Sequence, residues 1–179
     1  GTDSFTFTAN DGTVESQPAT VSITVTPAND PPVATPQELT TPEDTPVDFD
    51  LAGADADADA LTFTVATQPQ HGTLSGTAPS LTYTPTQNWS GTDSFTFTAN
   101  DGTVESQPAT VTITVTPVND PPTAAPQELT TEEGVPLNIL VAGADVDADA
   151  LTFTVAAQPQ NGTLTGAAPG LTYTPEQGW

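Results

Sequence analysis

The chain of 179 residues contains no lysine and no arginine. Its 23 aspartates and glutamates give a formal net charge of −23, so no basic side chain can neutralise a carboxylate. Acidic groups that lie close together must be spread into water, held apart, or neutralised by cations from solution. Nucleic acid is excluded as a partner, since binding it requires Lys and Arg to displace counterions. Anionic membrane surfaces are excluded for the same reason. Cysteine is absent, so no disulfide staples the fold, and the redox compartment stays open. The chain offers no site for trypsin and no methionine, which suits an exposed extracellular life; an acidic halophilic interior protein is the alternative. No apolar run approaches the ~20 residues of a membrane-spanning helix, so no membrane insertion is expected in this segment. No secretory signal is visible, and Gly1 reads as an internal cut.

What is present is a repeat. GTDSFTFTANDGTVESQPATV opens at Gly1 and returns unchanged at Gly91, and the rest follows with few changes at a period of 90 residues. A fixed period of this kind defines the folding unit. A unit that small buries only roughly 60–65% of its unfolded surface. Its core is therefore marginal, and without disulfides the common remaining staple is a bound ion.

Within each unit the hydrophobic period is two. Leu61, Phe63 and Val65 alternate with Thr62 and Thr64; Phe95, Phe97 and Ala99 alternate with Thr96 and Thr98; Val111, Ile113 and Val115 alternate with threonines. Such alternation marks half-buried antiparallel strands. Further strands are expected at residues 37–41, 47–51, 73–75 and 81–84, separated by turn signals at Asn100-Asp101-Gly102, His71-Gly72 and Pro85. Seven short strands in one period predict an all-β fold of tandem seven-stranded antiparallel β-sandwiches, Ig-like in topology. Phe49, Leu61, Phe63, Leu81, Tyr83, Phe95, Phe97, Val111 and Ile113 form the expected core. The boundaries fall at Pro27-Ala28-Asn29-Asp30-Pro31-Pro32 and its copy at 117–122, because paired prolines cannot continue a ladder and stiffen the backbone. Residues 33–116 then make one complete sandwich. Residues 1–26 are the last strands of a preceding unit, and residues 123–179 the first part of a following one.

The densest acidic cluster is Asp55-Ala-Asp57-Ala-Asp59, copied at Asp145, Asp147 and Asp149. On an extended chain, residues two apart point to one side about 6.6 Å from each other, and like charges so placed repel unless a cation sits among them. Calcium takes 6 to 8 oxygen ligands, which suits carboxylates and carbonyls. An EF-hand is excluded, because Ala60 and Ala66 stand where its Gly and Glu are required. The plain alternative is a solvated acidic loop. Asn29-Asp30 and Asn119-Asp120 sit in the linkers, where a junction ion could collect ligands from two units.

Two stretches carry a resemblance. PEDTPVDFDLAGADADADALTFTV (42–65) resembles the opening of a cadherin repeat, and ANDGTVESQPATVTITVTPVND (99–120) resembles its close. The whole period is similar to the bacterial cadherin-like or Ig-like tandem repeats of giant surface adhesins, with Asn-Asp-x-Pro, Pro-Glu-Asp-Thr, His-Gly-Thr-Leu and Gly-Thr-Asp-Ser-Phe present nearly throughout. The resemblance implies that Asp55 and Asp57 bind an ion at the junction before their domain, with Asp101, Asn29 and Asp30. It implies that Glu43 faces the next junction, near Asn119 and Asp120. Glu133, Asp145 and Asp147 would repeat these parts in the following unit, and Asp11 in the preceding one. The Leu-Asp-x-Glu motif that cadherins carry before their sixth strand is replaced here by NWSGTDSF, with Asp93 a partial substitute, so one or two ions per junction are expected rather than three.

Catalysis is not expected. His71, the one histidine, lies in a turn signal; no Ser/His/Asp set, zinc set or phosphate loop is present; and Asp repeats in an alanine run do not place an acid beside a base as glycoside hydrolysis needs. Trp89 and Trp179 read as core or strand-edge aromatics rather than sugar platforms, and Asn88 and Asn161 open weak glycosylation sequons. The expectation is a non-enzymatic extracellular rod, stiffened by calcium, in an adhesin or surface fibre, with neighbouring repeats as partners. The alternative is a self-assembling filament (a homopolymer), in which residues 1–26 of one chain complete the sandwich 123–179 of the next. A carbohydrate-binding module ranks third.

Overall fold

A computed structural model of the chain describes residues 1–178; Trp179, expected as a core or strand-edge aromatic, lies outside them. The fold is all-β. Its strands are β1 (Thr2–Phe7), β2 (Ala19–Thr24), β3 (Val33–Ala34), β4 (Gln37–Pro42), β5 (Val47–Asp50), β6 (Gly53–Ala54), β7 (Thr62–Val65), β8 (Gly72–Thr77), β9 (Ser80–Pro85), β10 (Gly91–Asn100), β11 (Ala109–Thr116), β12 (Thr123–Ala124), β13 (Leu137–Leu140), β14 (Gly143–Ala144), β15 (Gly162–Ala167) and β16 (Gly170–Pro175).

The complete sandwich is built from β3 to β11. One sheet runs β4-β11-β10-β7, the other β5-β9-β8, and β3 pairs with β6 at an edge. Pairings are antiparallel except that β4 runs parallel to β11, from Val111 opposite Gln37 to Thr116 opposite Pro42. The period-two pattern decides what is buried. Along β11, Ala109, Val111, Ile113 and Val115 point inward and the intervening threonines do not. Tyr83, Phe95, Phe97, Val111 and Ile113 are fully enclosed. Phe49 of one sheet meets Phe95 of the other with ring centroids 5.8 Å apart, and Leu61 and Phe63 pack partly buried against the same core. Trp89 also touches this core and stacks on His71, with centroids 4.2 Å apart and planes 5° from parallel.

A glycine position of the repeat is fixed by the close approach of a tyrosine ring. A Cβ on Gly72 would come within 2.3 Å of the Tyr83 ring, and one on Gly162 within 2.4 Å of Tyr173. Gly72→Ala is expected to destabilise the central sandwich by about 1–3 kcal/mol, the usual cost of overpacking. Gly170→Ala should leave the thermal melt unchanged, since its nearest neighbour is 4.0 Å away and the equivalent central position is already Ser80.

The flanking segments repeat the local structure without the packing. Strands β1 and β2 pair in the same register as β10 and β11, Phe5 opposite Val21 as Phe95 is opposite Val111. Yet Phe5, Phe7 and Ile23 are 54%, 49% and 44% exposed, whereas Phe95, Phe97 and Ile113 are at 1% or below. In the following segment, β13-β16-β15 and β12-β14 reproduce β5-β9-β8 and β3-β6. Residues 127–132 and 152–155, the copies of β4 and β7, form no strand. The reason is visible in the central sheet order: β4 and β7 bond to β11 and β10, not to each other.

Candidate metal centre at the repeat junctions

The acidic loop after β6 is not extended. The Asp55 Oδ1 accepts from the backbone N–H of Asp57 at 2.8 Å and of Asp59 at 3.2 Å, and Ala58 adopts φ +63°. The chain therefore curls around the Asp55 carboxylate, in place of the one-sided extended spacing expected from sequence. This brings carboxylate oxygens of Asp55, Asp57 and Asp59 within 4.8 Å of one another. The preceding linker closes on the loop: the Asp30 N–H donates to Asp57 Oδ2 at 2.8 Å, and Asn29 Nδ2 donates to Asp101 Oδ2 at 2.9 Å. Asn29 thus offers Asp101 a proton, not an oxygen. The second oxygen of Asp55 is buried and has no hydrogen-bond partner.

The second junction repeats the loop and linker hydrogen bonds. Asp145 Oδ1 accepts from Asp147 N–H at 3.0 Å and from Asp149 N–H at 3.2 Å, and the Asp120 N–H donates to Asp147 Oδ2 at 2.7 Å. The preceding sandwich also contributes here. Glu43, only 5% exposed, accepts from the Val118 N–H of the linker. Loss of hydration, followed by the charges of Asp147, Asp44, Glu43 and Asp145, pushes the Asp120 carboxyl above its ordinary value. Carboxylates of two successive units thus crowd one linker aspartate, whose Oδ2 is buried and unpartnered. Asp44 was not singled out from sequence, although it adjoins Glu43. It sits at φ +57° and accepts from the Asn88 N–H at 2.9 Å.

Orphaned buried carboxylate oxygens, an all-oxygen donor set and the lack of any Lys or Arg fit a hard divalent cation such as calcium. Two further candidates, Asp11 and Glu133, lie away from these two linkers. Asp11, in the β1–β2 turn, is held down at about 2 by the Thr13 hydroxyl and the Val14 and Thr13 N–H groups, and its hydrogen bonds stay within that turn. Asp101 is likewise lowered, by the Asn29 amide and then the Val104 and Thr103 N–H groups. Glu133 accepts from the Gly178 N–H, the position equivalent to Asn88, because Gly134 stands where Asp44 does in the central unit.

Asp93 lies near the start of β10 while Asp101 follows its end, so it is no part of the Asp55–Asp101 cluster. It is 4% exposed and accepts from Gln70 and His71 N–H at 2.9 and 2.8 Å, from Ser94 N–H at 2.8 Å and from the Tyr83 hydroxyl at 3.0 Å. Burial raises its carboxyl, but these four donors outweigh burial and hold it below the ordinary value. A depressed folded pKa gives stability that is present above the unfolded value, near 3.9, and is lost as pH falls through the folded one. Asp93→Asn is expected to cost about 1–3 kcal/mol near neutral pH, because a neutral amide cannot satisfy four donors. Denaturant melts from pH 6 downward should show a weaker acid loss in the variant; an unchanged acid limb would remove Asp93 as its source.

Residues 29–114 and 119–179 each match the family model described as "Bacterial Ig domain". The chain belongs to the bacterial Ig domain family. Integrin beta-like protein A of Dictyostelium discoideum is 29% identical over 180 residues, covering 86% of this chain but 9% of that protein. The bacterial Ig segment therefore spans about a tenth of the length of that relative. Among solved structures, the extracellular domain of protocadherin gamma-B4 superposes with a TM-score of 0.57 at 20% identity, over 98% of this chain and 32% of that one, a likeness of fold. An endo-fucoidan hydrolase of glycoside hydrolase family 107 aligns at a TM-score of 0.41 and 21% identity, over 99% of this chain and 30% of that one, too distant to assign chemistry.

Proposed function

We propose that this bacterial Ig segment is a non-enzymatic spacer of an extracellular adhesin or cell-surface fibre. Sandwiches such as 33–116 follow one another through the linkers 27–32 and 117–122, and calcium at each linker stiffens the series into a rod that extends or links cells. The observation that carries the reading is Asp120: its Oδ2 is buried without a hydrogen-bond partner, and loss of hydration, together with acidic groups on both adjoining units, raises its carboxyl. Without a cation this crowding repels and loosens the joint. With one, the same oxygens become shared ligands and fix the angle between neighbours. The weaker extracellular class of calcium site, with Kd of order 10⁻⁴–10⁻³ M, suits such a linker. Small-angle scattering with calcium and then with chelator tests it: the maximum dimension should grow and then relax. Superimposable curves would leave the acidic runs as solubilising charge alone.

A further inference from the structure

In the central sandwich β4 and β11 lie side by side and parallel. The chain comes from linker 27–32 into the end of this ladder where Gln37 faces Val111, and it leaves for linker 117–122 from the opposite end, where Pro42 faces Thr116. We propose that the sandwich is a mechanical clamp against tension along the array: force arriving through the two linkers draws β4 and β11 past each other, and Glu43 latches the ladder at the end from which the chain leaves. The proposal rests on the spacer reading for the source of the tension and does not depend on the ion.

The first support is direction. A pull on β4 toward residue 33 and on β11 toward residue 117 runs along both strands in opposite senses, so the hydrogen bonds between them are loaded together. An antiparallel pair joined by a hairpin, such as β10 and β11, has both free ends on one side, and a pull on those ends opens its bonds one after another. The short pairing of β3 with β6 and the bond from the Thr35 N–H to the Ala52 carbonyl at 2.8 Å precede β4 and meet the load first. The second support is register. Leu39 packs against the core and Thr41 is buried, while Glu38 and Thr40 face outward. A slip of one residue would turn the inward side chains out, so the ladder cannot re-form until β4 has moved two residues, about 6.6 Å. The turn after β4 opposes that movement. The Thr41 hydroxyl donates to the Thr45 carbonyl at 2.7 Å, and Asp44 accepts from the Asn88 N–H at 2.9 Å, so β4 cannot slide without dragging its turn away from the connection between β9 and β10.

The third support is the latch. Just beyond the last pair of the ladder, the Glu43 N–H donates to the Thr116 carbonyl at 2.9 Å, and the Glu43 side chain accepts from the Val118 N–H. The Thr116 hydroxyl adds a bond to the Thr41 carbonyl at 3.4 Å. One buried residue thus joins the end of β4 both to the end of β11 and to the outgoing linker. A pull on that linker reaches Glu43 before any other part of the ladder.

The test is single-molecule force spectroscopy on the full chain in chelator, held through introduced cysteines, since it has none of its own. Ala28→Cys with Pro122→Cys pulls through the two linkers and shears β4 against β11. Ala28→Cys with Gln107→Cys pulls from the Asp101 end alone and unzips the same ladder. Forced unfolding follows the unfolding barrier rather than the equilibrium stability, so at one pulling speed the first geometry should need roughly twice the force of the second or more. Glu43→Ala should lower the force in shear and leave it unchanged in unzipping, where Glu43 is reached last. Glu43→Gln keeps an acceptor for the Val118 N–H and should restore most of the shear force. Equal forces in the two directions, an equal loss in both from Glu43→Ala, or no rescue by Glu43→Gln would each overturn the proposal. Failure of the spacer reading would show differently, as scattering curves insensitive to calcium with the directional force intact.

Discussion

Phe97→Ala is expected to destabilise the central sandwich by about 3–5 kcal/mol, the range for a large aromatic removed from a core. Phe97 is fully enclosed. Its ring lies 6.1 Å from that of Phe63, tilted by 53°, and its backbone is held between Val65 and Ala109. The surrounding strands are pinned on both sides, so the vacated volume cannot collapse. Against a typical total of 5–15 kcal/mol, that loss is a large part of the stability of a unit with no disulfide. Phe7→Ala provides the internal comparison, because it changes the same residue in the same local sequence. In dilute solution, where Phe7 is half exposed, the effect on the urea midpoint should fall within about 0.5 kcal/mol. Trp89, packed against the central core, reports the transition by fluorescence. Equal shifts for the two variants would mean that the hairpin is packed in solution or that Phe97 is not.

Calcium is expected to raise the melting temperature of the chain, and Asp57→Ala combined with Asp147→Ala to remove most of that gain. An ion bound by the native state alone adds RT ln(1 + [L]/Kd), about 2.7 kcal/mol when free ion is a hundred times Kd. Asp57 and Asp147 are the residues to change because each accepts from the linker N–H of Asp30 or Asp120, so each ties loop to linker. Asp120→Asn should separate repulsion from ligation. It should stabilise the chain in chelator, by relieving the crowding with Glu43, Asp44, Asp145 and Asp147, and reduce the response to calcium. Glu38→Ala, an exposed carboxylate on β4, should alter neither. Calorimetry with and without calcium reads all of these shifts. A full calcium response in the double variant would refute ligation at the junctions.

Much of the fold was legible because it is local. Alternation along β7, β10 and β11 named the inward residues, and the Asn100-Asp101-Gly102 signal placed the β10–β11 turn, where Gly102 takes φ +96°. The acidic loop was legible as a cluster but not as a shape, since the Asx turn around Asp55 depends on side-chain to backbone bonds that composition does not reveal. Asp44 was missed because its part at the junction comes from the fold, which carries the end of β4 to the linker. Asp93 resembles part of a metal motif in sequence alone, whereas the structure gives it four hydrogen-bond donors drawn from three parts of the chain.

The limit of sequence is set by residues 1–21 and 91–111, which are the same sequence in two surroundings. By itself that sequence determines a hairpin, its register and which face is apolar, because turn chemistry and alternation act over a few residues. Whether the face is buried is decided by tertiary structure. Phe97 is enclosed because β4 and β7, distant along the chain, flank its hairpin and β5-β9-β8 covers it; Phe7 has no such neighbours among the described residues and stands open. Propensity is a property of the segment, and burial is a property of what the rest of the chain brings against it.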